Sequence, residues 1–174
     1  MIILRIKHPM LRWGINFILI LLSCLSIFTV IYVIYMQTHY YRIKDRQSLP
    51  IKQKLTHSNK LQTNTTYSAT TYNVGFGAYN QKFSFFMDTG KMKDGTKTQG
   101  KYGKAENKAA VLKNTNGEIN AMKKINADFM LFQEIDTDSS RSYHINQVKK
   151  VSQNFANYEE IFANNFHSPF CYIL

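Results

Sequence analysis

Cysteine and acidic residues are scarce in this chain. Its 174 residues hold 2 cysteines, and 11 Asp or Glu stand against 22 Lys or Arg. Cys24 lies in an apolar segment and Cys171 close to the end, so no disulfide framework is expected. The shortage of acid leaves a net charge of +11. That excess is uneven: residues 1–36 carry 3 basic and no acidic residues, 37–66 carry 6 and 1, and 67–174 carry 13 and 10. The charge favours anionic lipid, cell-wall polymer or nucleic acid without choosing among them. A dinucleotide fingerprint is also missing, because Gly75-Phe76-Gly77 lacks the third glycine and a helix directly after it.

Charge of either sign is absent from residues 13–36, where Asn16, Ser23, Ser26 and Thr29 are the polar interruptions. At about 1.5 Å per residue this stretch exceeds a hydrocarbon core of roughly 30 Å. Arg5, Lys7 and Arg12 precede it. Trp13 at one end, and Tyr32, Tyr35, Tyr40 and Tyr41 at the other, suit the two interfaces. No convincing small-x-small cleavage site follows. Leu21-Leu22-Ser23-Cys24 loosely resembles a lipoprotein box, but the apolar run continues well past Cys24. The expectation is an uncleaved single-pass anchor. Basic residues on both sides leave its orientation open by charge alone, with a lean towards a cytoplasmic domain.

The rest reads as a basic N-terminal tail over 1–12, the anchor over 13–36, a solvated linker over 37–66 and one modest domain over 67–174. The linker lacks hydrophobic periodicity, apart from a short helical continuation of the anchor at its start. Its cations suit a spacer or a contact with lipid head groups. Residues 67–74 are β-branched and aromatic and stop at glycines, which predicts a strand ending at Asn73. Residues 75–103 read as a long irregular loop. It is either a mobile insertion whose Phe83, Phe85, Phe86 and Met87 tuck against the core, or a cationic flap over a polyanion.

Residues 104–126 predict a helix. Val111, Leu112, Ile119, Met122 and Ile125 form its apolar face, and a break is allowed near Gly117. Asp128 to Asp136 reads as a strand, Phe129–Phe132, buried on both faces and turning polar at Gln133 and Glu134. A helix over 143–157 and a third strand over 158–165 follow. Strand, helix and strand can share a sheet with Asn73 and Glu134 at one end. A carboxylate on such a rigid edge suits a hard cation, or is simply solvated.

A strand ending in Asn73, a helix, and a strand ending in Gln133-Glu134 resemble the start of the endonuclease/exonuclease/phosphatase superfamily. The long form Gln133-Glu134-Ile135-Asp136-Thr137-Asp138-Ser139-Ser140-Arg141-Ser142 resembles its membrane-anchored bacterial members most. The resemblance implies an α+β fold, the N-terminal part of a four-layer α/β sandwich of deoxyribonuclease I type, preceded by one transmembrane helix. It implies Mg²⁺ or Mn²⁺ at Glu134, with Asn73 holding the metal site or the phosphate. Asp136 and Arg141 become candidates for the surrounding shell or a phosphate contact, against a salt-bridged turn. For Asp138 the structural role is preferred. The implied substrate is a phosphodiester, in nucleic acid or a phospholipid head group, and the implied location is the cell membrane with the domain extracytoplasmic.

The chain departs from that pattern. No Asp-x-Asn follows Glu134, and neither His144 nor His167 follows an Asp. The expectation is an N-terminal fragment, inactive alone, with weak or absent metal binding and a separately encoded C-terminal half as one partner. The alternative is a non-catalytic, membrane-anchored polyanion-binding or interaction module.

Overall fold

A computed structural model describes residues 9–41, 44–53, 55, 60–165 and 167. The chain divides into two compact units, one holding the N-terminal helix and the residues up to Gln47, the other Ser48–Ala163.

The first unit is built on helix α1, Pro9–His39. It runs past residue 36, and none of its residues is buried. The hydroxyls of Ser23, Ser26 and Thr29 donate to the carbonyls of Leu19, Leu22 and Leu25 at 2.8, 2.9 and 2.9 Å. Each of these three hydroxyls is thereby satisfied inside the helix, which would lower the cost of placing it in hydrocarbon. The helix is long and apolar enough to cross a membrane.

The second unit mixes helix and strand. In chain order it contains β1 (Ile51–Gln53), β2 (Ala69–Asn73), a 3-10 turn (Gly75–Gly77), β3 (Thr89–Lys91), β4 (Lys97–Gln99) and α2 (Lys108–Ile125). Then come β5 (Phe129–Gln133), a second 3-10 turn (Ser140–Ser142), α3 (Gln147–Asn154) and β6 (Glu160–Ile161). Among the described residues the strands form three two-stranded sheets: β1 with β6 and β3 with β4, both antiparallel, and β2 with β5, parallel.

Helix α2 starts three residues after Ala105, where Asn107 accepts a hydrogen bond from the N–H of Ala110 at 2.8 Å. It ends where Asn126 turns left-handed, φ +48°, and returns its N–H to the Met122 carbonyl. Val111, Thr115, Ile119 and Met122, one turn apart, are its buried residues. The helix is unbroken at Gly117, where an added Cβ would meet nothing within 4 Å.

Two small cores result. Ile119, Met122 and Phe155 are buried beneath Tyr72, Met130, Phe132, Val151 and Tyr158. Each fully buried apolar side chain of this size contributes roughly 1.5–3 kcal/mol. Phe76, Ala78, Ala105 and Val111 form the second, with Phe83, Phe85, Tyr143 and Ile145 around them. Between them Gln147, fully buried, donates to the Thr115 hydroxyl at 2.9 Å and accepts from the Asp136 N–H at 3.1 Å. It thus ties α3, α2 and the turn after β5 together.

Several expectations need correction. Strand β5 is covered on one face only: Met130 and Phe132 face the helices, while Phe129 and Leu131 are exposed. Two strands and two helices supply cover for one side alone. The linker region is not wholly unstructured, because β1 pairs with β6 and so joins the compact unit that starts at Ser48. Accordingly the third strand, shortened to Glu160–Ile161, pairs with β1 rather than with β2 or β5. The helix predicted over 143–157 shrinks to α3, because Tyr143 and His144 are left-handed and Asn146 caps at Lys149 N–H, 2.7 Å. The predicted loop 75–103 contains an ordered hairpin, and Phe83 and Phe85 do tuck against the core. Cys171 and the apolar terminal residues lie outside the described residues.

Candidate functional site

Strands β2 and β5 run parallel in register, Ala69 opposite Phe129 through Asn73 opposite Gln133. Their start is locked by Asp128, whose carboxylate accepts from the N–H and hydroxyl of Ser68, both at 2.7 Å. These bonds hold the Asp128 carboxyl below its usual range, with the Ser68 N–H acting most strongly. Equal strand lengths then bring Asn73 and Gln133 level at the other end.

There the backbone leaves the sheet abruptly. Glu134 has φ +51°, and Gly75, Phe76 and Gly77 have φ +48°, +46° and +69°. A left-handed non-glycine residue costs about 1–2 kcal/mol, and such strain clusters at functional positions. The turn is held by Val74 N–H to Gln133 O at 2.9 Å and Phe76 N–H to Glu134 O at 2.8 Å. Asn73 Nδ2 donates to Glu134 Oε1 at 2.8 Å, and its Oδ1 accepts the Gly75 N–H at 2.9 Å. Both side chains are exposed. The amide therefore orients one oxygen of an exposed carboxylate.

Behind this pair, Arg141 makes a bidentate bridge to Asp136, Nε to Oδ2 at 3.0 Å and one terminal nitrogen to Oδ1 at 2.8 Å. Its guanidinium also lies 4.2 Å over the centre of the buried Phe76 ring. The structure brings Asn73 to Glu134 and Asp136 to Arg141. Arg141 is engaged as a salt-bridged brace under the left-handed turn.

Two features were not read from the sequence. His144 Nδ1 lies 2.5 Å from Asp138 Oδ1, both largely exposed, so an Asp–His pair exists without the two being adjacent in sequence. Left-handed Tyr143 and His144 fold the segment back, and no local pattern announces that. The second feature is Tyr79. Its ring lies on Gly75 so closely that an added Cβ there would sit 2.3 Å from the ring. It meets Phe76 and Phe83 edge-on, with centroids 6.1 and 4.7 Å away. It is still 51% exposed, and among the described residues its hydroxyl has no hydrogen-bond partner. Partial burial, then the carboxylates of Asp88 and Glu134, push its ionisation up, while Arg141 opposes them.

The donor set bears on the cation. Mg²⁺ is commonly held by one or two carboxylates, with water and substrate phosphate completing the shell. Glu134 and Asn73 offer one carboxylate and one amide oxygen, by themselves a poor donor set for Mg²⁺. A preformed cage is not available: among the described residues no group of three His, Cys, Asp or Glu could hold a metal. Comparison with protein-family models, curated proteins and solved structures finds no match to this chain.

Proposed function

We propose that the Asn73–Glu134 pair is part of a divalent-metal site of a membrane-anchored phosphodiesterase or nuclease. The observation that carries this reading is the 2.8 Å contact of Asn73 Nδ2 with Glu134 Oε1 at the adjoining ends of two in-register parallel strands. A strained, left-handed Glu134 beside that contact supports it. In this reading Ser48–Ala163 contributes to a four-layer sandwich of deoxyribonuclease I type, and α1 anchors it with the domain extracytoplasmic.

Bound Mg²⁺ or Mn²⁺ would supply Lewis-acid polarisation of a phosphoryl oxygen. Glu134 would hold it through Oε2. Asn73 would keep that carboxylate in place and present its own amide oxygen to the same region. The Arg141–Asp136 brace would keep the turn from relaxing. With so few protein ligands, uptake of metal by this chain is expected to be weak, and hydrolysis slow or absent unless further groups are supplied, such as a separately encoded partner half.

The test is Mn²⁺ uptake by the full chain in detergent micelles, followed by loss of the free-Mn²⁺ electron spin resonance signal. One weak site, lost in Glu134→Gln, is expected. Uptake unchanged by Glu134→Gln would sink the reading. Turnover of a chromogenic phosphodiester with and without Mg²⁺ is the second measurement, and any activity should vanish in the same variant.

A second reading has its own observation. The β3–β4 hairpin exposes Lys91, Lys93 and Lys97, with Lys101 just beyond. Such a cationic ribbon suits a non-catalytic polyanion-binding module. Polyanion binding that is salt-sensitive, metal-independent and lost when these lysines become glutamine would favour it.

A further inference from the structure

We propose that the β3–β4 hairpin docks on anionic phospholipid of the bilayer that α1 crosses, Met92 entering the head-group layer and Lys91, Lys93 and Lys97 lying on its phosphates. The inference rests on the polyanion-binding reading above and names its partner. It does not depend on the metal site.

The hairpin is a short ribbon on a fixed base. Gly100 donates its N–H to the Asp88 carbonyl at 2.8 Å, and the N–H groups of Lys101 and Tyr102 reach the Ser84 carbonyl at 3.0 and 2.9 Å. An added Cβ on Gly100 would sit 1.7 Å from the Phe85 carbonyl oxygen, so the base has no slack, and Phe85 itself packs against the core. At the far end the chain reverses between Met92 and Thr96. Met92 N–H bonds to Thr96 O at 2.8 Å, and Gly95, at φ +88°, bonds back to Met92 O at 2.9 Å. Asp94 turns its carboxylate inward onto the Thr96 N–H at 2.9 Å.

This ribbon carries charge in a costly arrangement. Lys91 stands directly opposite Lys97, so both side chains leave from one face. Like charges in that register destabilise a sheet. Among the described residues neither lysine has an acidic partner. Residues 89–104 hold five lysines and one acid. At the tip, between Lys91 and Lys93, Met92 is 59% exposed. An apolar tip ringed by cations suits a lipid interface, where lysine stems lie on the apolar layer and ammonium groups stay at the phosphates. Nucleic acid fits less well, because single strands are held by stacking on aromatic rings and residues 89–99 contain none. Eight residues, 40–47, join the end of α1 to the unit that carries the hairpin. Such a tether spans at most about 28 Å, which keeps the hairpin at high effective concentration over any bilayer α1 crosses.

The test uses the full chain with Cys24→Ser and Cys171→Ser, and a nitroxide carried on Met92→Cys. It is placed in nanodiscs of phosphatidylcholine alone or with about 30% phosphatidylglycerol. Collision of the nitroxide with oxygen, relative to a water-soluble nickel chelate, reports its depth. That ratio should rise at least about threefold from neutral to anionic discs. Replacing Lys91, Lys93 and Lys97 together by glutamine, or raising salt to about 0.5 M, should return it to the neutral value. Equal ratios in the two kinds of disc would overturn the inference. The same rise with the nitroxide on Asn120→Cys, an exposed position of α2, would overturn it too, because the whole domain rather than the hairpin would then be adsorbed. A thymidine oligonucleotide added to the chain in micelles separates this failure from that of the polyanion reading. Salt-sensitive binding lost in the triple lysine variant, with equal ratios in the discs, would keep that reading and give it nucleic acid as partner. No binding of either kind would remove both.

Discussion

Glu134 and Asn73, 61 residues apart in sequence, meet at 2.8 Å, and Glu134 holds that contact from a left-handed backbone. Glutamate gains nothing locally from φ +51°, so the conformation is maintained by Phe76 N–H on its carbonyl and Asn73 on its side chain. Glycine at this position should stabilise the fold by about 1 kcal/mol, because it adopts positive φ without steric cost. Glu134→Gln should be close to neutral. Urea unfolding of the three proteins checks this. Destabilisation by Glu134→Gly would show that the side-chain contact outweighs the strain.

The Arg141 brace is specific to guanidinium geometry. Lysine can neither bridge both Asp136 oxygens nor stack over Phe76. Arg141→Lys should cost about 1–2 kcal/mol, and Arg141→Ala about 3 kcal/mol, since a largely buried carboxylate loses its partner. Equal losses for the two variants, read from denaturant midpoints, would place the effect in the aliphatic stem rather than the head group.

Glu118 gives a pH signature. Burial on α2 raises its carboxyl from the ordinary 4.5 to about 7. A raised acid favours the folded state fully below pH 4.5, and that advantage is lost as pH rises towards 7. Stability should therefore fall over that window, by roughly 1–2 kcal/mol once solvent screening is allowed for. Glu118→Gln should flatten the profile. Asp128 has the opposite sign: its carboxyl is lowered by Ser68, so its contribution is present above the ordinary range and is lost as pH falls through the lowered value. Ser68→Ala, which keeps the backbone N–H, should lower stability slightly above that range and make the loss on acidification shallower. Thermal melts between pH 3 and 8 separate the two.

Helix α1 should hold the full chain in the membrane fraction through carbonate and high-salt washes, because none of its apolar residues is buried within the protein. Release by salt alone would show peripheral attachment. A cysteine at Gln47 should react with an impermeant thiol reagent in intact cells if the domain is extracytoplasmic, and protection would reverse that orientation.

Much of this was legible in the sequence. The charge-free run of 13–36 needed no tertiary partner to become a helix, since length, composition and self-bonded hydroxyls suffice. The 3.6-residue spacing of Val111, Ile119 and Met122 announced α2, and the alternation from turn residues to apolar runs announced β2 and β5. The likeness of Asn73 and Glu134 to a shared strand end was also readable, because a strand–helix–strand unit permits few arrangements.

Other features depended on long-range contact. No local signal paired β1 with β6, because a three-residue strand has almost no intrinsic stability and forms where a partner edge happens to lie. Whether β5 would be covered on one face or two depended on how many elements stack on the sheet, which an apolar run cannot specify. The sequence by itself determined the long apolar N-terminal helix, the main helix and the two strands whose ends carry Asn73 and Glu134. Only the tertiary structure decided that Arg141 spends its charge on Asp136, that His144 meets Asp138, and that Tyr79 lies on Gly75 beside the pair. Propensity and periodicity act within a few residues, whereas left-handed turns at Phe76, Glu134 and Tyr143 are held by bonds and packing from distant parts of the chain.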